Sequence, residues 1–587
     1  MVLAPAIAHA QTRFTSLTAF GDSYMDHGVN ALPLSRGITT NYPSRGGSVA
    51  ALQAANPTGY VAYPYHVQAL LGLSDAQLTN YAIAGSTTTP FNANGSRLSM
   101  PNQLAAWNGR PFGPSDLVLI NIGGNDAIGG ARLGVNPLLL GQQVGSTAAG
   151  FVQQFVGAGA RNIVFTGFSN MSFLPVVQAA GAGAYTDVVG AAYYATLQAQ
   201  MRPLSLAGAR IFLMDQALLA GRVAAAPQAY GFDSFAFSGP GRVSMFTADG
   251  LHLTTQGYGF ASRYIANIVN APQTYSAQGD ATQITTTGFA RSIFGQLDGA
   301  RSFGAGPAAY ANPLSFHVAV TGGTGSRDNH PDALGLKYDA VGGQVGAEYR
   351  IDPSLKVGAL FNYTSGKFDL RSSGGKIEQD AYQFGIYASH NAGPWFTDVM
   401  AIYGRGDLKI DRIGVIDQIR GTTSSDSFAI GGKTAYLFAL SPWLQAGPLA
   451  GLTYVNSQVG GYTERGDPVL TYAVARQTVE SLIGSVGAQF RFPFAVGGQT
   501  LSPYVNVTAE HDFLGERRTI LSTLTQSPLL PISTPVAGRG GSTYGAVQAG
   551  ISAPITARTS IAVNVATTFA RRDGNDLGGS LVLRHAF

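Results

Sequence analysis

From about residue 314 to the end, the sequence alternates apolar and polar side chains with a period of two, and helical periodicity is nearly absent. Successive side chains of a strand point to opposite faces, so this alternation describes strands with one apolar and one polar face. Val341–Arg350 (VGGQVGAEYR) and Ala381–Ala388 (AYQFGIYA) show the pattern. Twelve strand segments are predicted, at 314–322, 339–351, 355–366, 379–391, 395–405, 424–440, 443–459, 472–493, 501–513, 542–554, 559–571 and 577–587. Connections after even-numbered strands are short: Asp352-Pro353-Ser354, Asn391–Pro394, Ser441-Pro442, Phe494–Thr500 and Ile555–Arg558. Those after odd-numbered strands read as long and polar, the longest near Leu514–Gly541. An even strand count with short turns on one side and long loops on the other describes a transmembrane antiparallel β-barrel of the outer-membrane type. The chain also stops on Phe587, with Leu581 and Leu583 on the same alternating face and His585 interrupting it. A soluble β-sandwich alternates too, but the asymmetry of the connections and the aromatic residues at strand ends favour the barrel.

The first half is built differently. Residues 1–270 contain no lysine and no glutamate, the first of each being Lys337 and Glu348. Apolar strand candidates at Leu17–Phe20, Asn80–Ile83, Leu117–Ile122, Asn162–Thr166 and Arg210–Met214 alternate with helical patterns at Pro64–Leu71, Leu138–Val156, Tyr185–Leu206 and Thr254–Ile268. Short, wholly apolar strands separated by helices predict a flavodoxin-like α/β domain, a parallel sheet covered on both faces. Ligand sites in such sheets sit at the carboxyl ends of the strands. Between the halves, Ala281–Arg301 reads as a moderately polar helix with Phe289, Ile293, Phe294 and Leu297 on one side. Its polarity suits the lumen of a barrel, and a surface linker would fit as well. The predicted organisation is a signal-peptide remnant at 1–10, an α/β domain at 11–272, a linker helix at 273–305 and the barrel at 306–587.

Charged residues make up only 12% of the chain, roughly half the usual share, while 45% is hydrophobic, which excludes intrinsic disorder. The pI of 9.0 comes from 36 basic against 32 acidic groups and is no sign of a nucleic-acid partner. No apolar run reaches the ~18 residues of a transmembrane helix, although barrel strands escape that test. There is no cysteine, which removes disulfides, thiol catalysis and thiolate-bound metal. Met1–Gln11 is apolar and carries Ala8-His9-Ala10, the cleavage pattern that ends a secretory signal, so export is expected. No metal-ligand or cofactor pattern is present.

The strand Leu17–Phe20 runs directly into Gly21-Asp22-Ser23-Tyr24. A serine at the carboxyl end of a first parallel strand can face a cleft, though alone it is equally an N-cap or turn serine. Its hydroxyl needs a base within hydrogen-bond reach. The histidines of this half beyond residue 10 are His27, His66 and His252, and the first two read as surface or packing residues. His252 closes Ala248-Asp249-Gly250-Leu251-His252, just before the last helix. Asp249 can accept from the imidazole Nδ1–H there and leave Nε2 to take the serine proton, as in serine hydrolases. A structural aspartate turn with an incidental histidine is the plainer alternative. Acyl transfer also needs donors for an oxyanion. Ala84-Gly85-Ser86-Thr87 offers the Gly85 N–H, Gly123-Gly124-Asn125-Asp126 offers the Asn125 amide, and Ser23 offers its own N–H.

Taken together, Gly21-Asp22-Ser23, Asn80–Ser86, Gly123–Asp126 and Asp249–His252 resemble the GDSL, or SGNH, family of serine esterases and lipases, in order and spacing over about 250 residues. Tyr24 replaces the leucine of the family name, and Ala84 stands where relatives often carry glycine. The resemblance implies Ser23 as nucleophile, His252 as base, Asp249 as its orienting partner, and Ser23 N–H, Gly85 N–H and Asn125 as the oxyanion hole. The whole chain resembles the outer-membrane esterase autotransporters of Gram-negative bacteria. That implies a lumen helix, a monomeric esterase (or lipase) passenger attached on the cell surface, an ester or lipid substrate, outer-membrane lipid around the barrel, and barrel-assembly machinery as an export partner. A surface adhesin with relic esterase residues is the competing reading, and intact Ser23, Asp249, His252 and Asn125 argue against it. A porin-like channel with a plug domain would need none of these residues. The segments Asn92–Met100, Arg110–Ser115 and Gln228–Gly241 are expected to shape the acyl site, and the aromatics Phe91, Phe112, Phe232, Phe235 and Phe237 suit an apolar acyl group, though packing explains them equally well.

Overall fold

The computed structural model describes residues 14–27, 43–55, 59–89, 98–301, 313–372, 374–496, 499–515, 517–538 and 543–587. The signal-peptide remnant expected at 1–10 lies outside the described residues, as do Phe91 and residues 92–97.

The first half folds as an α/β layer. Strands β1 (Ser16–Gly21), β2 (Ser44–Arg45), β3 (Leu78–Asn80), β4 (Asp116–Asn121), β5 (Asn162–Gly167) and β6 (Arg210–Asp215) form one sheet in the order β2-β3-β1-β4-β5-β6. All neighbours are parallel except the short β2, which runs antiparallel to β3. Every residue of β5 and β6 is buried, as a sheet covered on both faces requires. Helices Tyr63–Leu70, Pro137–Gly157, Gly183–Leu206 and Thr255–Asn270 supply much of that cover. One strand differs from expectation. β3 spans Leu78–Asn80 rather than Asn80–Ile83, although the Tyr81 and Ile83 N–H groups still donate to Ala19 O and Gly21 O of β1 at 2.8 and 3.0 Å and the Ala82 N–H turns back to Asn80 Oδ1 at 2.9 Å.

The second half closes on itself. Twelve long strands run Leu314–Arg327, Leu336–Arg350, Leu355–Leu370, Gly375–Ala392, Trp395–Ile413, Gln418–Tyr436, Leu444–Val459, Gln477–Arg491, Tyr504–Asp512, Thr543–Pro554, Thr559–Phe569 and Asp576–Ala586. Each pairs antiparallel with the next, and the last pairs with the first from Asp576↔Gly325 to Ala586↔Ser315. Closure leaves no open edge, the condition for backbone in lipid. Val318, Val345, Phe384, Ile430, Val563 and Leu581 point outward and stay exposed, whereas Gln344, Asn362, Gln383, Gln489 and Asn506 are buried inside. Trp395, Phe438, Trp443 and Phe587 stand exposed on the short-turn side. On the opposite side the Tyr363, Tyr403 and Tyr454 hydroxyls donate to Asp380, Asp426 and Glu480. Aromatic girdles bounding an apolar band mark the two interfaces of a membrane barrel. No described helix is long and apolar enough to cross a membrane.

Several strands are longer than predicted. The fifth and sixth have 19 residues each, well beyond the ~10 that span a bilayer. The connections after strands three and five, predicted to be long loops, shrink to 371–374 and 414–417. In these extensions the outward residues are charged, which makes the sequence look loop-like. The inward ones (Phe368, Leu370, Ile377, Leu408, Ile410) are apolar and buried. The segment after strand nine likewise carries strands Arg518–Leu524 and Ile532–Val536, which join Tyr462–Thr463 and Tyr472–Val474 in a small sheet above the barrel.

The connecting helix spans Ala277–Ala300 and occupies the lumen, which decides between the two placements the sequence left open. Phe289, Ile293, Phe294 and Leu297 pack against Leu360, Tyr387, Met400 and Ile402. At its far end Asp298 meets Lys433 Nζ at 2.5 Å and accepts from Asn506 Nδ2 at 2.8 Å, and Arg301 pairs with Asp398. At the near end one apolar cluster runs without a break from the α/β core through Tyr275 and Ala277 to Leu336, Phe368, Ile410 and Tyr472 on the barrel rim. The β6 edge is covered from the barrel side: Asp215 N–H donates to Gln526 Oε1 at 2.8 Å, and Arg210 pairs with Asp332 at 3.2 Å.

Candidate active site

β1 ends at Gly21, where a Cβ would lie 1.9 Å from the Asn121 carbonyl oxygen of β4, so only glycine allows the two strands to come this close. The turn that follows sets Ser23 at the carboxyl end of the sheet, largely buried. Its Oγ lies 2.8 Å from His252 Nε2, and His252 Nδ1 lies 2.6 Å from Asp249 Oδ2. Residues 229 positions apart in the chain thus meet in one hydrogen-bonded line. The Asp249 turn is tightly tied. Its Oδ1 accepts from the Thr247 hydroxyl at 2.6 Å, from Leu251 N–H at 2.8 Å and from His252 N–H at 2.9 Å. Burial pushes the Asp249 carboxyl up, but the bonds from Thr247, the His252 ring and the two backbone N–H groups outweigh it and hold the group down at about 2. Asp249 is therefore an anion facing the imidazole throughout the working pH range.

Two tyrosines hold the imidazole. The Tyr60 ring stacks on His252 with centroids 4.9 Å apart and planes within 20°, and its hydroxyl donates to the Ser23 carbonyl at 3.2 Å. The Tyr24 ring centroid lies 6.2 Å from that of His252, and its hydroxyl donates to the Leu251 carbonyl at 2.7 Å. The Tyr24 position, where this chain departs from its look-alikes, thus ties the serine turn to the histidine turn.

The three candidate oxyanion donors follow neighbouring strands of the sheet. Asn125 opens the helix Gly124–Leu133, and its Nδ2 donates to the Ser86 carbonyl at 2.9 Å, which leaves the second amide hydrogen free to point elsewhere. Gly85 adopts φ +82°, a left-handed conformation that turns the chain between Ala84 and Ser86. Among the described residues neither the Gly85 N–H nor the Ser23 N–H has a backbone or side-chain acceptor. Beneath them Gln103 braces the floor, accepting from Gly21 N–H at 2.8 Å and donating to Gly21 O at 2.6 Å and Ser86 Oγ at 3.0 Å. Asp126 accepts from the Thr88 N–H and hydroxyl. Burial pushes Asp126 up to about 6 and Asp22 up to about 7, the latter partly offset by the Tyr24 N–H and reinforced by the charge of Asp126.

The other two histidines lie outside this line. His27 Nδ1 contacts the Tyr60 carbonyl at 2.9 Å, and His66 Nε2 contacts Val61 O at 3.1 Å, burial lowering His66 to about 4. One expectation about the acyl site fails. Arg110–Ser115 precedes β4, and Phe112 stacks on Trp107 and bonds Ala158 O at the amino end of the sheet, opposite Ser23. Phe232 is core, packed on Phe260, and Phe235 packs on Phe246, while Phe237 is exposed. Sequence reading missed Gln103, Tyr60 and Thr247. Gln103 had a signal, a polar residue inside an otherwise apolar helix face with Met100 and Trp107. Tyr60 and Thr247 had none, since their roles exist only once distant turns meet.

The GDSL-like Lipase/Acylhydrolase family model matches residues 17–265, and the Autotransporter beta-domain model matches residues 316–566. The chain joins a GDSL-type hydrolase domain to an autotransporter β-domain. Among solved structures, the translocator domain of autotransporter NalP from Neisseria meningitidis is 14% identical at TM-score 0.43, covering 54% of this chain and 99% of its own. The beta domain of the Bordetella autotransporter Brka is 14% identical at TM-score 0.36, covering 47% and 100%. The transport unit of AIDA-I from Escherichia coli is 16% identical at TM-score 0.35, covering 46% and 90%. No curated protein matches the chain significantly. The autotransporter barrel is an outer-membrane anchor, and the GDSL passenger stands on the cell surface above it.

Proposed function

We propose that the passenger hydrolyses carboxylic esters, with Ser23 as nucleophile, His252 as general base and acid, and Asp249 as the anion that orients the imidazole. The observation that carries this reading is the Asp249–His252–Ser23 line, with contacts of 2.6 and 2.8 Å. The Asp249 carboxylate accepts a hydrogen bond from Nδ1–H, so Nε2 presents its lone pair to the Ser23 hydroxyl. As Oγ attacks the ester carbonyl, Nε2 takes its proton, and the resulting imidazolium lies between the Asp249 anion and the Tyr60 ring face. The negative charge on the former carbonyl oxygen falls to the N–H groups of Ser23 and Gly85 and the Asn125 amide. Nε2–H then protonates the leaving alcohol, and an acyl group remains on Ser23. Water enters, gives a proton to Nε2 and attacks the acyl carbon. The carboxylic acid departs as Oγ recovers its proton. No metal or cofactor is called for, and barrel-assembly machinery is the expected partner for insertion of the β-domain.

The test is hydrolysis of p-nitrophenyl butyrate by the full chain and by Ser23→Ala, His252→Ala and Asp249→Ala. Ser23→Ala and His252→Ala should each lose orders of magnitude in turnover, whereas Asp249→Ala retains more, since triad members act as a unit and the aspartate alone costs less. A Ser23→Ala enzyme with more than about a tenth of wild-type turnover would remove Ser23 from the mechanism.

A further inference from the structure

Four tyrosines from three parts of the chain cluster beside the Ser23–His252 pair. Tyr63 and Tyr258 are its buried members, with ring centroids 4.9 Å apart at 87°, and Tyr24 and Tyr60 lean on Tyr258 from 5.6 and 5.2 Å. Rings gathered beside a site are ordinarily core packing. The hydroxyls separate two of these tyrosines from the other two. Tyr63 donates away from the pair, to Gln216 Oε1 at 3.1 Å, and the buried Tyr258 hydroxyl has no hydrogen-bond partner among the described residues. Tyr24 and Tyr60 instead donate to the backbone of the two turns that carry the pair. Tyr24 follows Ser23 in the chain and reaches across to the carbonyl of Leu251, the residue before His252, at 2.7 Å. Tyr60 stacks on the His252 ring and reaches back to the carbonyl of Ser23 at 3.2 Å. Burial pushes both phenols up, so both remain protonated donors.

The two bonds cross, and the chemistry gives them a task. Ser23 follows β1, whereas the Asp249 turn lies outside the sheet with its carboxylate side chain half exposed. The backbone of that turn is tied to other loops: Gly250 O accepts from Val176 N–H at 3.1 Å, and Thr254 N–H donates to Met245 O at 2.9 Å. Neither bond sets its distance from Ser23. The Ser23–His252 hydrogen bond cannot set it throughout a reaction cycle, because Oγ gives its proton to Nε2 and then bonds the acyl carbon. A displacement of about 1 Å between such groups can cost about 100-fold in rate. Contacts that do not take part in the chemistry, one from each turn to the other, keep the distance while the reacting bond is absent.

We propose that Tyr24 and Tyr60 are positioning residues that hold the Ser23 and His252 turns in register through the acylation cycle, Tyr60 also fixing the plane of the imidazole. This rests on the ester-hydrolase reading and adds the groups that set its geometry. A leucine at position 24, as in the family name, has no donor and could not make the crossing bond to Leu251.

The test removes single oxygens and keeps the rings. In the full chain, Tyr24→Phe and Tyr60→Phe should each lose about tenfold in kcat on p-nitrophenyl butyrate with KM unchanged. Tyr60→Leu, which also removes the stack, should lose more than Tyr60→Phe. Tyr258→Phe takes a hydroxyl from the same cluster that bonds nothing among the described residues, and it should keep the wild-type kcat. The deciding readout is the rate at which a fluorophosphonate labels Ser23, measured in the wild-type and His252→Ala backgrounds. Tyr24→Phe and Tyr60→Phe should slow labelling about tenfold in the first and leave it unchanged in the second, where no imidazole remains to be placed. An equal loss in both backgrounds would assign the tyrosines to packing and overturn the inference. Wild-type kcat in either Phe variant, or a raised KM at unchanged kcat, would overturn it too, and each of these results leaves ester hydrolysis intact. Absence of hydrolysis by the wild type overturns the hydrolase reading itself.

Discussion

At the residue scale, the site depends on groups that shape one another. Asn125 is held by Ser86, so its free amide hydrogen has a fixed direction. Removing one oxyanion donor typically costs about 3 kcal/mol, roughly 100-fold in rate. Asn125→Ala should therefore lower kcat by that order with little change in KM in steady-state ester hydrolysis. A raised KM at unchanged kcat would make it a substrate-binding residue instead. Asp22 gives a second prediction. Its folded pKa of about 7 lies above the ordinary 3.8, so the folded state binds the proton more tightly and loses stability as pH rises from about 4 to 7. Asp22→Asn stays neutral and can still accept from the Tyr24 N–H. Its melting temperature should match wild type at pH 4, exceed it increasingly towards pH 7, and hold a constant gap above. An equal gap at all pH values would remove the buried carboxyl as the cause. The candidate triad and oxyanion residues were legible because short blocks carry them, those of Ser23, Gly85 and Asn125 following strands and that of Asp249 and His252 preceding the last helix of the domain. Gln103, Tyr60 and Thr247 were not, because stacking on an imidazole or bracing a turn leaves no local pattern.

At the element scale, the strands were legible in number and nearly so in position, since alternation fixes which residues face lipid. Their lengths were not. Lys367 and Asp369 alternate with Phe368 and Leu370, and a polar outward face above the membrane resembles a loop until the inward face finds the passenger core. The expected Asn80–Ile83 strand overlaps β3 only at Asn80, although Tyr81 and Ile83 keep their backbone bonds to β1. The closing strand carries the sharpest prediction. Leu581–Ala586 pairs with Ser315–Val320, and Phe587 packs edge-on against Phe316 at 5.3 Å. Deleting Leu581–Phe587 would leave two unpaired edges in lipid. Surface exposure, read by protease shaving of intact cells, should vanish. Normal exposure after the deletion would contradict a closed membrane barrel.

At the scale of the whole molecule, the passenger and the barrel share one apolar cluster, which no sequence pattern announces because its members lie hundreds of residues apart. The lumen helix, the rim strands and the small extracellular sheet together support the α/β core. A separate 11–272 fragment, lacking Tyr275, Ile410, Tyr472 and the Gln526 contact to β6, should melt well below the passenger of the full chain, by circular dichroism or dye binding. Equal melting temperatures would mean that the shared cluster adds nothing to stability. The central claim, a surface hydrolase acting through Ser23, is tested most directly by labelling intact cells with a fluorophosphonate probe and mapping the modified peptide by mass spectrometry. A single adduct on Ser23 is expected, absent from Ser23→Ala and strongly reduced in His252→Ala. Labelling that persists in Ser23→Ala, or an adduct on another residue of the passenger, would contradict it.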